Sequence, residues 1–151
     1  MFTLLRMGPY ACGEWENGGL PYWLIKNNTD IKMRSSDKRF TSEVTRFFEK
    51  IAPLIRPLLR QNGGPILMVQ IENEYGSYDA CDRAYTAFLR DEAWRLLGNE
   101  TVLYTTDGGS EGYLKCGAVP GVFATIDFGP TSKENMAAAF QAQKKYLPGG
   151  K

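Results

Sequence analysis

An α/β fold built on a parallel sheet is what this 151-residue sequence predicts, and three observations predict it. Four short apolar runs are near-continuous rather than alternating, as in strands covered on both faces. Helical three-and-four spacing fills the intervals, and strands that alternate with helices make parallel sheets. Each apolar run leads into an acidic residue, and in parallel α/β folds the reactive groups gather at the carboxyl ends of the strands.

The first run is Thr3 to Arg6, followed by a long glycine-rich loop that holds Glu14. Phe40, Val44, Phe47, Phe48, Ile51, Ile55, Leu58 and Leu59 then share a helical face, with Ser35, Ser36 and Asp37 as start caps. Pro53 and Pro57 are expected to kink or split that helix, because proline lacks the backbone donor and clashes with the preceding turn. Pro65 to Ile71 is the second strand and runs into Glu72 and Glu74. Tyr85, Phe88, Leu89, Glu92 and Leu96 mark a second helix, stopped near Gly98. Thr101 to Thr105 is the third strand and leads to Asp107; a short connection follows. Gly121 to Ile126 is the fourth strand and leads to Asp127. Met136, Ala139, Phe140, Gln143 and Leu147 mark a third helix, stopped by Pro148-Gly149-Gly150. Taken singly, Asp107 and Asp127 read first as helix caps or loop solvation.

Composition removes several function classes. The chain has the length of one ordinary domain. Its 18 basic and 17 acidic residues are interspersed, with no basic stripe, so nucleic acid is not an expected partner. Histidine is absent, which excludes a Ser-His-Asp or Cys-His mechanism within the chain and the usual histidine zinc sites. Neither a metal nor a cofactor is expected, and acid–base work falls to carboxylates, Tyr, Lys or Cys. The glycine-rich loops contain no dinucleotide or Walker A pattern. The longest apolar stretch, Ile66 to Val69, falls far short of the ~20 residues of a membrane span. Met1 to Pro9 does not read as a signal peptide. The protein is therefore expected either to be cytosolic or to have its natural amino terminus further upstream.

Gln70, Glu72 and Glu74 lie two apart, so a continuing strand would point them to one side. Burying like charges together is costly. A carboxyl beside another carboxylate keeps its proton to higher pH, as a general acid needs. Spacing alone leaves two readings level: a proton-donating site, or a structural acid pair bonded to neighbouring strands.

Several long motifs occur in order: Gly8-Pro9-Tyr10-Ala11-Cys12-Gly13-Glu14-Trp15, Gly18-Gly19-Leu20-Pro21, Arg34-Ser35-Ser36-Asp37, Gln61-Asn62-Gly63-Gly64-Pro65 and Gln70 to Tyr78. Thr105-Thr106-Asp107-Gly108, Leu114-Lys115-Cys116-Gly117 and Asp127-Phe128-Gly129 follow. In these the sequence resembles the glycoside hydrolase family 35 β-galactosidases, over almost the whole chain and more weakly after Gly129. The resemblance implies a (β/α)8 TIM barrel that hydrolyses terminal non-reducing β-D-galactose with retention. Residues 1–151 would be part of its catalytic domain, roughly strands 3 to 6 with their helices, incomplete at both ends.

Residue by residue, Glu74 matches the acid/base, and Asn73 matches the neighbour that holds the sugar near the attacked carbon. Gly13 and Glu14 match the segment that binds galactose hydroxyls. Glu72 becomes a structural partner. The family often has Ala where Gly13 stands and Pro where Met7 stands, and neither change removes a reactive side chain. Cys81 and Cys116 match a family disulfide, and such a bond points to an oxidising compartment. The sequons Asn27-Asn28-Thr29 and Asn99-Glu100-Thr101 agree with that. A lysosomal or secreted enzyme glycosylated at Asn27 and Asn99 is implied. Cys12 reads as a buried, unreactive thiol, and Tyr10, Trp15 and Trp23 as sugar platforms or as packing beneath the loop.

A retaining glycosidase needs a nucleophile about 5 Å from its acid, and the family's nucleophile motif is not matched in this sequence. The chain is therefore expected to be a fragment of a longer product, inactive alone, with two exposed sheet edges. Its partner would be a β-galactoside carried on a glycan, glycolipid or oligosaccharide. A homo-oligomer of the full-length enzyme stays open. The alternatives are a related exo-β-glycosidase of another sugar preference and a non-catalytic sugar-binding remnant.

Overall fold

The computed structural model describes residues 1–150. Four strands, β1 (Thr3–Gly8), β2 (Ile66–Ile71), β3 (Leu103–Gly108) and β4 (Phe123–Asp127), form one sheet. Its order is β1-β2-β3-β4 and every pairing is parallel. Each strand thus lies beside its neighbour in sequence, and the crossovers carry the helices. These are α1 (Trp23–Lys26) and α2 (Lys38–Ile55) after β1, and α3 (Arg83–Leu97) after β2. A short α4 (Glu111–Gly117) follows β3, and α5 (Lys133–Lys144) follows β4.

The core lies between the sheet and the pair α2–α3. Phe40, Val44 and Phe48 of α2 and Tyr85, Leu89 and Ala93 of α3 are buried with Val69 and Ile71 of β2. Burying each large apolar side chain is worth about 1.5–3 kcal/mol, so this layer dominates the stability of the described fold. Asp37 starts α2 by accepting the Arg39 N–H, and Asp82 starts α3 by accepting the Tyr85 N–H. Gly98 ends α3 at φ 99°, a left-handed conformation that glycine adopts without strain.

The structure changes four sequence expectations. Pro53 does not split α2, which continues to Ile55. The change comes at Arg56–Leu58, a 3-10 turn containing Pro57, because Pro57 has no backbone N–H with which to continue the α ladder. The connection after β3 contains α4, whose seven residues are too few for a periodic signal. The buried stripe of α3 is Tyr85, Leu89, Ala93 and Leu97, with Phe88 and Leu96 at its margin. Glu92 is instead held by Arg95. In α5 no residue is buried, and Leu147 lies beyond its end.

The outer strands β1 and β4 each have one neighbour. Leu4 on β1 is 57% exposed and Phe123 on β4 is 39% exposed. The near-continuous apolar pattern therefore describes β2 and β3, whereas β1 alternates between more and less exposed positions. No helix among the described residues is long and apolar enough to cross a membrane.

Candidate active site

Strand β2 ends at Ile71, and the chain then turns. Glu72 has φ 59° and Glu74 has φ 47°, in the left-handed region that costs a non-glycine residue about 1–2 kcal/mol. The two-residue alternation of a strand stops there, so the two carboxylates do not share a side. Their backbones reach to opposite neighbours. The Glu72 N–H donates to the Gly8 carbonyl of β1 at 3.0 Å, and the Glu74 N–H donates to the Thr106 carbonyl of β3 at 2.8 Å.

Glu72 is buried and fully partnered. Arg34 donates to it through Nε at 3.2 Å and Nη2 at 2.7 Å. The Tyr85 hydroxyl donates at 2.7 Å and the Asn73 N–H at 3.0 Å. Burial, reinforced by the Glu72 charge, holds the Tyr85 hydroxyl well above its ordinary value, so it remains a donor. Arg34 lies 3.8 Å from the Tyr10 ring centroid and 4.4 Å from that of Tyr78, a stacked geometry that guanidinium favours. Its Nη2 also donates to the Asn73 carbonyl at 2.9 Å. The Tyr75 hydroxyl, pushed up to about 12 by burial, donates to the Arg34 carbonyl at 2.9 Å.

Asn73 is oriented from the other side. Gln70 Nε2 donates to Asn73 Oδ1 at 2.9 Å and to the Glu72 carbonyl at 2.8 Å. With its oxygen engaged, the Asn73 amide turns Nδ2 toward Glu74 Oε2, 3.4 Å away. Arg6 donates to Gln70 Oε1 at 3.3 Å and to the Ala11 carbonyl at 2.8 Å. The loop carrying Gly13 and Glu14 is thereby tied to the residues that orient Asn73. Within it, Gly13 and Glu14 are exposed, and the Gly13 N–H donates to the Gly18 carbonyl at 3.2 Å. Among the described residues Glu14 has no side-chain hydrogen bond, and the structure does not bring it into contact with Glu74.

Glu74 is half-buried and opens on a cleft of about 450 Å³ lined also by Ser77, Gly108, Tyr113, Asp127, Phe128 and Gly129. Asp127, read singly as loop solvation, thus faces the same space. Asp107 is no helix cap, since Ser110 starts α4. It is 1% exposed and accepts the Gly76 N–H at 2.7 Å, and its Oδ2 has no partner among the described residues. Burial pushes its carboxyl up to about 7 against the pull of that N–H, and Asp127, Glu72 and Glu74 add to the rise.

Cys81, just before α3, is disulfide-bonded to Cys116 in α4 across a sequence separation of 35. Cys12 is free and half-buried rather than buried, because its left-handed φ of 47° sits in a loop that runs over the surface. Trp15 is 82% exposed and Trp23 44% exposed, so neither is packed beneath the loop. Tyr10 is half-buried under Arg34. Asn27 and Asn99 are both exposed. A second depression, apolar and about 330 Å³, lies between the β1 loop and α2, lined by Leu20, Trp23, Phe40 and Phe47 among others. It contains no part of the Glu74 network.

Sequence reasoning placed Tyr85 on a helix face, Arg34 in a motif and Arg6 at a strand end, but gave none of them a part in the site. A signal for the first was present: a buried glutamate requires a cationic partner, and Arg34 opens one of the quoted motifs.

Residues 1–150 match the model of the glycosyl hydrolases family 35. The chain is 49% identical over 150 residues to a β-galactosidase of Macaca fascicularis, covering 99% of this chain and 22% of that protein. Identity to the β-galactosidase of Homo sapiens is 47%, with the same coverage. It is 50% over 152 residues to β-galactosidase 8 of Oryza sativa subsp. japonica, again 22% of that protein. The chain thus spans about a fifth of the length of these curated relatives.

Proposed function

Since the chain belongs to glycosyl hydrolase family 35, we propose that it is the acid/base-bearing part of a retaining β-galactosidase. Its four strands are then roughly strands 3 to 6 of a (β/α)8 barrel. Four parallel strands in sequence order, with reactive side chains at their carboxyl ends, support that assignment. The nucleophilic carboxylate belongs to another part of the full-length protein, so the 151 residues alone lack turnover.

The observation that carries the reading is the contrast between two neighbouring acids. Four donor groups occupy Glu72, while Glu74 faces the cleft and among the described residues its carboxyl accepts a hydrogen bond only from the Asn73 amide. Glu74 donates its proton to the glycosidic oxygen as the nucleophile displaces the aglycone. The resulting carboxylate then takes a proton from the water that attacks the glycosyl-enzyme ester, which restores Glu74 and releases β-D-galactose. Asn73, fixed by Gln70, donates Nδ2–H to a sugar hydroxyl near the attacked carbon, and the segment Gly13–Glu14 receives the other galactose hydroxyls. No cofactor is needed for this chemistry.

The substrate is a terminal β-galactoside on a glycan, glycolipid or oligosaccharide. The Cys81–Cys116 bond and the two exposed sequons support a lysosomal or secreted enzyme carrying glycans on Asn27 and Asn99. The test is Glu74→Gln in the full-length protein. Hydrolysis of lactose is expected to fall by about 10²–10⁴-fold, with far smaller loss on an aryl galactoside whose leaving group needs no proton. Lactose turnover near the parent rate would remove Glu74 from the role of acid. Faster turnover of another β-glycoside by the parent protein would reassign the sugar.

A further inference from the structure

The turn that carries Glu74 is gripped from β3, and we propose that Asp107 is a positioning residue for the acid/base. By accepting the Gly76 N–H it sets the direction from which Glu74 enters the cleft. The inference rests on the reading of Glu74 as acid/base.

Two consecutive residues of β3 hold the two sides of Glu74. The Thr106 carbonyl accepts the Glu74 N–H at 2.8 Å. Asp107 Oδ1 accepts the N–H of Gly76, two residues further on, at 2.7 Å. Between these bonds Glu74 sits at φ 47°, a conformation that persists only where its surroundings impose it. The 3-10 turn Tyr75–Ser77 follows directly, so a shift of Gly76 moves the base of the Glu74 side chain.

Helix α4 presses on the same bond from outside. A Cβ on Gly117 would collide with the Asp107 carboxyl, and a Cβ on Gly76 would collide with the Tyr113 backbone. Both glycines therefore permit a close approach of α4 to the turn. The disulfide joins Cys116, the residue before Gly117, to Cys81 in the segment after the turn. Asp107, α4 and the disulfide thus surround the turn that bears Glu74 and touch none of the cleft themselves, apart from Tyr113. A buried carboxyl with one oxygen unpartnered is costly when ionised. Below about pH 7 Asp107 serves as a neutral acceptor, which adds no charge to the group formed by Glu72, Glu74 and Asp127.

The experiment compares Asp107→Ala and Asp107→Asn with Glu74→Gln in the full-length protein, each on lactose and on a dinitrophenyl galactoside. Asp107→Ala is expected to lower kcat on lactose by roughly 10- to 100-fold, the scale of a small misplacement of a catalytic group. KM should stay within about twofold, and the loss on the activated substrate should be several times smaller. Asp107→Asn keeps an acceptor oxygen for Gly76 and is expected to recover most of that loss. Equal losses on both substrates, or an unchanged kcat for Asp107→Ala, would overturn the proposal. Should Asp107→Ala not fold, a folded Asp107→Asn decides: retained lactose turnover supports positioning, and a loss as deep as that of Glu74→Gln refutes it. If Glu74→Gln itself keeps lactose turnover, the reading of Glu74 has failed rather than that of Asp107.

Discussion

Glu72 and Glu74 are one residue type, two positions apart, both in left-handed backbone at the end of β2, yet their surroundings are opposite. Glu72 is enclosed by a stacked guanidinium, a phenol and a backbone N–H. Glu74 lies at the rim of a cleft, where among the described residues its carboxyl accepts one hydrogen bond, from the Asn73 amide. A buried carboxylate with every acceptor site met is fit for holding structure. A carboxyl with open acceptor sites at a cleft can exchange a proton with a bound molecule. The difference arises from the neighbours: Arg34 and Tyr85 converge on one acid, whereas Thr106 and Asp107 hold only the backbone around the other.

The widest separation between the two acids is expected in stability. Glu72→Ala leaves the Arg34 cation buried and unpaired, and should cost about 3–5 kcal/mol in denaturant unfolding. Glu74→Gln should change stability by no more than about 0.5 kcal/mol. A larger loss for Glu74→Gln than for Glu72→Ala would invert the assignment of roles.

Next in size is the disulfide. Replacing Cys81 and Cys116 by Ser opens a loop of 35 residues, for which the chain-entropy model gives about 4 kcal/mol. Unfolding midpoints with and without reductant measure it, and an insensitive parent protein would show that the bond closes nothing of consequence.

The smallest effect depends on pH. The folded-state value of Asp107 is raised from the usual 3.8 to about 7, so between those values the folded state holds a proton that the unfolded chain has lost. Stability from this group is therefore complete at low pH and declines as pH rises toward 7. The shift sets a ceiling of roughly 4 kcal/mol, which relaxation and water entry reduce. Asp107→Asn should leave the thermal midpoint little changed near pH 4 and raise it above that of the parent at pH 7 to 8. Parallel midpoint curves for the two proteins would show that Asp107 does not titrate in this range.

The strands were legible in the sequence because burial imposes short, near-continuous apolar runs on β2 and β3, with Glu72 just past the end of β2 and Asp107 at the carboxyl end of β3. The direction of Glu72 and Glu74 was not, since the two-residue alternation presumes extended backbone and both residues leave it. Residue spacing left the two acids level, and the motif resemblance separated them. Helix α4 escaped notice because seven residues carry too little periodicity. Arg34 lies 38 residues from Glu72, and Asp107 lies 31 from Gly76. Pairings so distant in the chain leave no local pattern, although the cost of burying Glu72 already required a partner of the first kind.

The most direct test of Glu74 as the acid/base is azide rescue of Glu74→Ala in the full-length protein, with a dinitrophenyl β-galactoside as substrate. Removing an acid/base leaves room for azide on the face where water would attack the glycosyl-enzyme. The expected product is β-galactosyl azide, formed faster as azide is raised, while lactose stays uncleaved. An α-galactosyl azide would make Glu74 the nucleophile, and lactose hydrolysis at the parent rate would remove it from the chemistry altogether.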